Sequence, residues 1–446
     1  MLVNKDGCFL PPRKLWGLAA QLYSLRRRSD AGIGDLESLR LLSEWSASAG
    51  AAFVLVSPLH ALAPGQDSPY YPTSRCFRDP TCLPGGHPVP FGATIDRASA
   101  RASKLQSRLE GFTGISARSE QFCEEMGDLL RGFAAFSVIA AELGWDHRLW
   151  PEDLRDGPAH ATALIWREEA EKAAFVVEVQ AEIDRELELV AQTGCPPVND
   201  IAVGVDPGGF DAWWWSEGLL PGVSVGAPPD EFNADGQDWG VAAFDPAWLA
   251  AVDDGPVDRA WAMATRHATG LRIDHVMGLS RQWLVPRGAG PLGGHYERFP
   301  LEELLSRLTA LSRSSQTWVV GEDLGTVEDG LRSRLQAEGV LSMKVMRFEK
   351  TPPRSWPERA LAMASTHDLP PLSGGAMDAH RDLAGSPCLA VAPTLEDALG
   401  VTEPPNRPGI DHPLNWRQSL PGVVEDLVTS QPLHLTADMM GMRSLT

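Results

Sequence analysis

Short apolar runs rich in β-branched residues recur along this chain, each closed by polar residues and most followed by a stretch with helical period. Eight such runs stand out: Leu18 to Ser24, Phe53 to Ser57, Val198 to Val205, Leu271 to Asp274, Thr317 to Gly321, Leu341 to Phe348, Leu361 to Ser365 and Cys388 to Ala392. Strands separated by helices are joined by crossovers and therefore pair in parallel. Eight is the number of parallel strands that closes an α/β barrel. The expected architecture is a (β/α)8 TIM barrel of the α/β class, one catalytic unit over 1–446, with large helical and loop insertions and no separate C-terminal β-sandwich domain.

Two connecting helices can be read in detail. After Gly34, DLESLRLLSEWSASAG places Leu36, Leu39, Leu42 and Trp45 on one face and ends at Gly50, a residue suited to a helix C-terminus. After Thr326, VEDGLRSRLQAEG is apolar at Val327, Leu331 and Leu335 and stops at Gly339. Two intervals break the rhythm. Residues 58–197 leave room for an inserted, mainly helical subdomain, with RGFAAFSVIAAELG and REEAEKAAFVVEVQAEIDRELELVAQTG as helices. Residues 206–246 are Gly, Pro, Trp and Asp without steady period and read as inserted substrate-binding loops. Loops at the C-terminal ends of barrel strands are where this architecture keeps its active sites.

Charge and cysteine usage narrow the function classes. The 446 residues carry 59 acidic against 39 basic side chains, a formal net charge of −20. Such a surface repels nucleic acid and anionic membranes, and no stretch approaches the roughly 20 apolar residues of a membrane span. Cys8, Cys76, Cys82, Cys123, Cys195 and Cys388 form no CxxC pair or repeated spacing, which argues against a disulfide framework or a zinc site and for a cytoplasmic location. Tryptophan is abundant, 15 residues against 4 tyrosines, and flat indole rings suit stacking on sugar faces, although packing accounts for most of them. Trp213, Trp214 and Trp215 in succession cannot all face one way, so at least one is expected outside the core.

Three strands end in carboxylates. In GLRIDHVMGL, Arg272 and Asp274 are two apart and share one side of the strand, where the guanidinium would keep Asp274 ionised as a nucleophile needs. In TWVVGEDLG, Glu322 follows an apolar strand in a setting that could hold a proton at neutral pH. In ALAMASTHDLP, His367 and Asp368 are adjacent at the end of another run. A single aspartate at a strand end is more often a helix cap or ion-pair partner than a catalyst, and Asp323 beside Glu322 fits that role. His275 and His367, taken alone, are more often structural histidines. The coincidence of three such ends in one barrel favours chemistry.

RIDHVMGL, GEDLG and STHDLP resemble the catalytic regions of the α-amylase clan, and in particular of the amylomaltases, the 4-α-glucanotransferases of glycoside hydrolase family 77. WGLAAQLYSLRRRSDAGIGDL, DSPYYPTSRCFRDP, GAPPDEFNADGQDWG and NRPGIDHPLNWR are similar to further stretches of that family, in the same order over nearly the whole chain. The resemblance implies that Asp274 is the nucleophile, Glu322 the acid and base, and Asp368 the group that holds the hydroxyls of the distorted ring. It also implies donor-side contacts from Ser68 and Tyr70, a central subsite lined by Asp206, Arg272 and His367, and an acceptor-side loop from Gly226 to Gly240 offering Asp230, Gln237 and Trp239. The chemistry fits: a retaining double displacement needs two carboxyl groups, one charged and one protonated, flanking the bond.

The implied activity moves α-1,4-glucan segments between maltooligosaccharides, α-1,4-glucans and glucose. An α-glucan hydrolase of the same clan and a non-catalytic glucan-binding relative are the alternatives. Nothing in the sequence suggests a metal or cofactor, since there is no HExxH, P-loop or aspartate-rich calcium loop. HDLP follows the threonine where many family members read HDND, a pattern of a bacterial branch that leaves the three carboxylates in place. WGLAAQLYSL begins at Trp16, so the glucan contacts of an N-terminal extension are not expected.

Overall fold

The computed structural model describes residues 7–230, 233–372 and 376–445. Eight parallel strands close into a barrel: β1 (Leu15–Ala20), β2 (Phe53–Val56), β3 (Pro197–Ile201), β4 (Gly270–Ile273), β5 (Trp318–Gly321), β6 (Leu341–Val345), β7 (Ala360–Met363) and β8 (Ala390–Val391). β1 pairs with both β2 and β8, which completes the ring. The fold is the (β/α)8 TIM barrel, and each apolar run read from the sequence supplies one strand. Boundaries differ where apolar residues continue past a strand. β3 stops at Ile201, while Val203 and Val205 pack in small clusters under the loops that follow, so the run overstates the strand.

The barrel interior is filled by Ala19, Phe53, Leu55, Val198, Trp318, Val320, Leu341, Met343, Leu361 and Met363. At its base the Phe53 and Trp318 rings meet edge to face at 5.4 Å. Both need glycine opposite them: a Cβ on Gly270 would lie 2.6 Å from the Trp318 ring, and one on Gly17 would lie 2.5 Å from the Phe53 ring. On β4 the inward position next along the strand is Arg272, not an apolar residue, which brings charge into the upper layer.

The helix Leu36–Ser48 forms where the pattern places it, with Leu36, Leu39 and Leu42 buried. Its N-terminus is closed reciprocally: Ser38 N–H donates to Asp35 at 3.1 Å, and Asp35 N–H donates to Ser38 Oγ at 3.3 Å. The helix expected from Val327 begins only at Leu331, because Gly330 takes a left-handed conformation at φ 84° just before it.

The interval between β2 and β3 is more than helical. It opens with an antiparallel pair, His60–Ala61 against Ser74–Arg78, and continues through helices including Arg97–Glu110, Asp128–Leu143, Pro158–Glu168 and Ala170–Ala191. The second expected helix is split at Glu169. Phe77, Phe133, Phe136, Trp150 and Phe210 form an aromatic core there, and it takes in the tryptophan triplet: Trp213 is fully buried, Trp215 nearly so, and Trp214 stacks on Phe210 at 5.8 Å. Trp214 is only partly buried and lies at the margin of that core, as expected of at least one of the three, while the short helix Phe210–Trp214 packs the others against the insertion. The interval 206–246 also holds strands where loops were expected. Val223–Ala227 and Gln237–Val241 join Arg281–Pro286 and His295–Arg298 in a four-stranded antiparallel sheet. Its Val225, Val241 and Leu284 form a buried apolar face, a pairing invisible to a search for local period.

Candidate active site

The C-terminal ends of the strands bring one charged ring together. The parallel register sets Asp200 on β3 beside Arg272 on β4. Arg272 Nη1 donates to both Asp200 oxygens, at 2.7 and 2.6 Å, and lies 3.0 Å from Asp274 Oδ1. Asp200 Oδ2 also accepts from the Tyr70 hydroxyl at 2.6 Å. Tyr70 stacks on His367, ring centroids 4.7 Å apart, with its hydroxyl 3.3 Å from His367 Nδ1. His367 Nε2 is 3.3 Å from Asp368 Oδ2, and Asn406 Nδ2 donates to Asp368 Oδ1 at 2.7 Å. Asp274, Arg272, Tyr70, His367 and Asp368 are thus linked side chain to side chain.

Glu322 joins this ring through the backbone. Its N–H donates to the Ile273 carbonyl at 2.9 Å, and its side chain accepts from His275 N–H and Leu324 N–H, each at 2.9 Å. His275 adopts a left-handed conformation at φ 47°, uncommon outside glycine, and that turn immediately after Asp274 aims its N–H at the Glu322 carboxyl. Burial, then the charge of Asp274, push the Glu322 carboxyl up to about 7, against the opposing pull of Arg272 and the two N–H groups. Burial acts on Asp368 in the same sense, but His367 and the Asn406 amide outweigh it and hold this carboxyl below its ordinary value. His367 is raised: burial opposes its charge, and Asp368 overcomes that.

The remaining expected residues fall at different places. Ser68 Oγ accepts from Tyr70 N–H at 3.3 Å and so shapes the turn that presents Tyr70. Trp239 meets the His275 ring edge to face at 5.0 Å, and its indole N–H donates to Gln237 Oε1 at 3.1 Å. Asp230 Oδ2 lies 4.0 Å from the Cβ position of Gly325, in the segment after Glu322. The loop therefore borders the segments that follow Asp274 and Glu322; its residues 231 and 232 lie outside the described ones. Asp206 keeps other company: its Oδ1 accepts from Gly208 N–H at 2.8 Å, and its charged neighbours are Arg148 and Asp146. The carboxylate that β3 gives to the ring is Asp200, which sequence reasoning missed because VND opens the run Val198 to Val205 and reads as part of the strand. Trp416 was also missed: its ring lies 5.4 Å from Tyr70 and 5.3 Å from His367, on a backbone at φ 60°. It and Asn406 stand in the NRPGIDHPLNWR segment.

Among the described residues no cluster of three or more His, Cys, Asp or Glu side chains could hold a metal ion, and no helix is long and apolar enough to cross a membrane. A family model described as 4-alpha-glucanotransferase, Glyco_hydro_77, matches residues 20–87 and 89–375. The chain belongs to glycoside hydrolase family 77. Two relatives bearing the name 4-alpha-glucanotransferase illustrate the range. That of Mycobacterium tuberculosis is 37% identical over 431 residues, covering 84% of this chain and 60% of its own. That of Haemophilus influenzae is 28% identical, covering 83% and 62%. The chain thus spans about 60% of the length of these two relatives. Among solved structures, amylomaltase from Corynebacterium glutamicum superimposes with a TM-score of 0.82 at 25% identity, over 96% of this chain and 75% of that one. An amylomaltase from Streptococcus agalactiae, solved with acarbose, gives 0.83 at 18% identity over 97% and 99%, a likeness of fold.

Proposed function

We propose that this chain is a 4-α-glucanotransferase that moves α-1,4-glucan segments from a donor maltooligosaccharide to the 4-hydroxyl of a glucan or glucose. The observation that carries the proposal is Glu322: a carboxyl held near pH 7 between two backbone N–H donors, within reach of the charge of Asp274. A retaining displacement needs that asymmetry. Asp274, as carboxylate, attacks the anomeric carbon and forms a glycosyl ester while Glu322 gives its proton to the departing oxygen. Glu322, now ionised, takes the proton of the incoming hydroxyl, and the new glycosidic bond releases Asp274. Arg272 balances Asp274 and Asp200, and His367 with Asp368 offers a charged edge to the hydroxyls of the ring being distorted. Tyr70, backed by Trp416, supplies a flat face for a sugar.

The names of the relatives support the activity, and the acarbose complex of the Streptococcus protein supports a saccharide as ligand. The Gly226 to Gly240 segment beside His275 is suited to admitting an acceptor sugar in place of water. Six free cysteines fit a reducing compartment, the cytoplasm. Incubation with maltotriose tests the reading: transfer yields glucose and longer oligomers with the number of reducing ends constant. A steady rise in reducing ends identifies a hydrolase instead, and no change in either means the reading fails.

A further inference from the structure

Two buried polar side chains at the mouth of the barrel have no part in the reaction above. Gln21, directly after β1, and Glu396, in the short helix Leu395–Ala398 after β8, are 9% and 6% exposed. Both line the cavity that is also lined by Tyr70, Asp200, Arg272 and His367. In the closed ring β1 and β8 are neighbours and lie across the barrel from β4 and β5, whose ends carry Asp274 and Glu322. Gln21 and Glu396 therefore border this cavity on the side away from Arg272, through which it adjoins Asp274; Asp274 and Glu322 do not themselves line it.

Among the described residues neither side chain has a hydrogen-bond partner on another residue. Gln21 Oε1 is buried without a hydrogen bond. Near the Glu396 carboxyl the donor is its own backbone N–H, its charged neighbours are Asp397 and His367, and burial pushes it up to about 7. Buried polar groups in native proteins are almost always satisfied, so an exception calls for an explanation. Ala19, Leu55, Met343 and Met363 line the same cavity beside Ser57, Thr366 and Thr394, so it presents both apolar and hydrogen-bonding surface to a ligand. A pyranose gripped at its anomeric carbon by the β4 and β5 ends directs its other hydroxyls toward the opposite rim.

We propose that Gln21 and Glu396 are specificity-determining residues of the central subsite, where the amide and the carboxyl hydrogen-bond a hydroxyl of the glucosyl unit undergoing transfer. The inference rests on the glucan-transfer reading. A site built to bond a hydroxyl loses transition-state stabilisation when the bonding group is deleted, whereas the empty protein is relieved of an unsatisfied polar group. The two effects have opposite signs, which separates this role from a structural one.

The experiment compares wild type, Gln21→Met, Glu396→Met and Glu396→Gln in maltotriose disproportionation and in thermal unfolding. Each Met variant is expected to lose at least about tenfold in kcat/KM, with a Tm equal to wild type or a few degrees above it. Glu396→Gln, which still donates and accepts, recovers most of the loss. Met variants within about threefold of wild type overturn the proposal. So do Met variants that melt lower or fail to fold, which would make the residues structural, and a Gln variant as impaired as the Met one. A wild type that does not turn over maltotriose is a different failure: it removes the glucan-transfer reading, and this inference with it.

Discussion

Replacing Glu322 with glutamine separates the catalytic proton from the fold. In the folded protein this carboxyl is raised from 4.5 to about 7, chiefly by burial and then by the charge of Asp274. A folded value above the unfolded one means that the native state binds the proton more tightly. The group's stabilising contribution is complete below about pH 4.5 and is lost as pH rises through 7. The shift of about 2.5 units corresponds to about 3 kcal/mol. Glutamine does not titrate, so the stability of Glu322→Gln relative to wild type should improve by about 3 kcal/mol between pH 4.5 and pH 8. A constant offset is superimposed: one backbone donor, His275 N–H or Leu324 N–H, must face the new amide NH2, at a cost of about 1 kcal/mol at every pH. Urea unfolding of both proteins at a series of pH values measures the difference, in which titrating groups that do not interact with Glu322 cancel. Turnover of maltotriose should fall about 10²- to 10⁴-fold, the usual worth of a general acid. Curves that stay parallel from pH 4.5 to 8, or a variant that loses ground as pH rises, would refute the reasoning.

The same carboxyl sets the alkaline limb of the reaction: kcat/KM for maltotriose should fall about tenfold per pH unit above pH 7, as the acid form disappears. Stopped assays across pH 5 to 9 check this, and a flat profile to pH 9 excludes Glu322 as the acid. Asp274→Asn should lower turnover at least about a thousandfold while the protein remains folded. It should also lower the Glu322 titration, since the second largest contribution to its rise is removed; carbon NMR of labelled glutamate follows this, and an unchanged Glu322 means the two carboxyls do not interact. Trp239→Ala, which takes away the ring beside His275, is predicted to weaken transfer to added glucose more than hydrolysis. Equal losses in both count against an acceptor-side role.

The barrel was legible because its strands are buried on both faces and read as continuous apolar runs, and the three carboxylates because they follow such runs directly. What was not legible depended on partners far along the chain. Asp200 is set apart from other strand-end aspartates only by the parallel register that places it against Arg272. The family resemblance pointed to Asp206, whose carboxylate accepts from Gly208 N–H instead. Trp416 and Asn406 reach the ring from more than 30 residues beyond His367, on a segment whose path follows from tertiary contacts such as the bond from Trp416 N–H to the Pro405 carbonyl. The antiparallel sheet escaped for the same reason: Val225 is flanked by Ser224 and Gly226, and its apolar face is completed only by Leu284 and Val241.

The ring at the barrel mouth also explains why the proton resides where the proposed mechanism needs it. Four carboxyl groups, Asp200, Asp274, Glu322 and Asp368, face two bases that can carry positive charge, Arg272 and His367. Arg272 touches Asp200 and Asp274, and His367 touches Asp368. Among the described residues Glu322 has no cation in contact, only two N–H dipoles, so a buried cluster with two negative charges too many lowers its energy by placing a proton there. The acid is thus selected first by the burial of its own carboxyl and then by the charge of Asp274, with no cation in contact to offset them. Placing a cation within contact of Glu322 should therefore lower its titration and shift the alkaline limb to lower pH, while leaving Arg272 and its two aspartates in place.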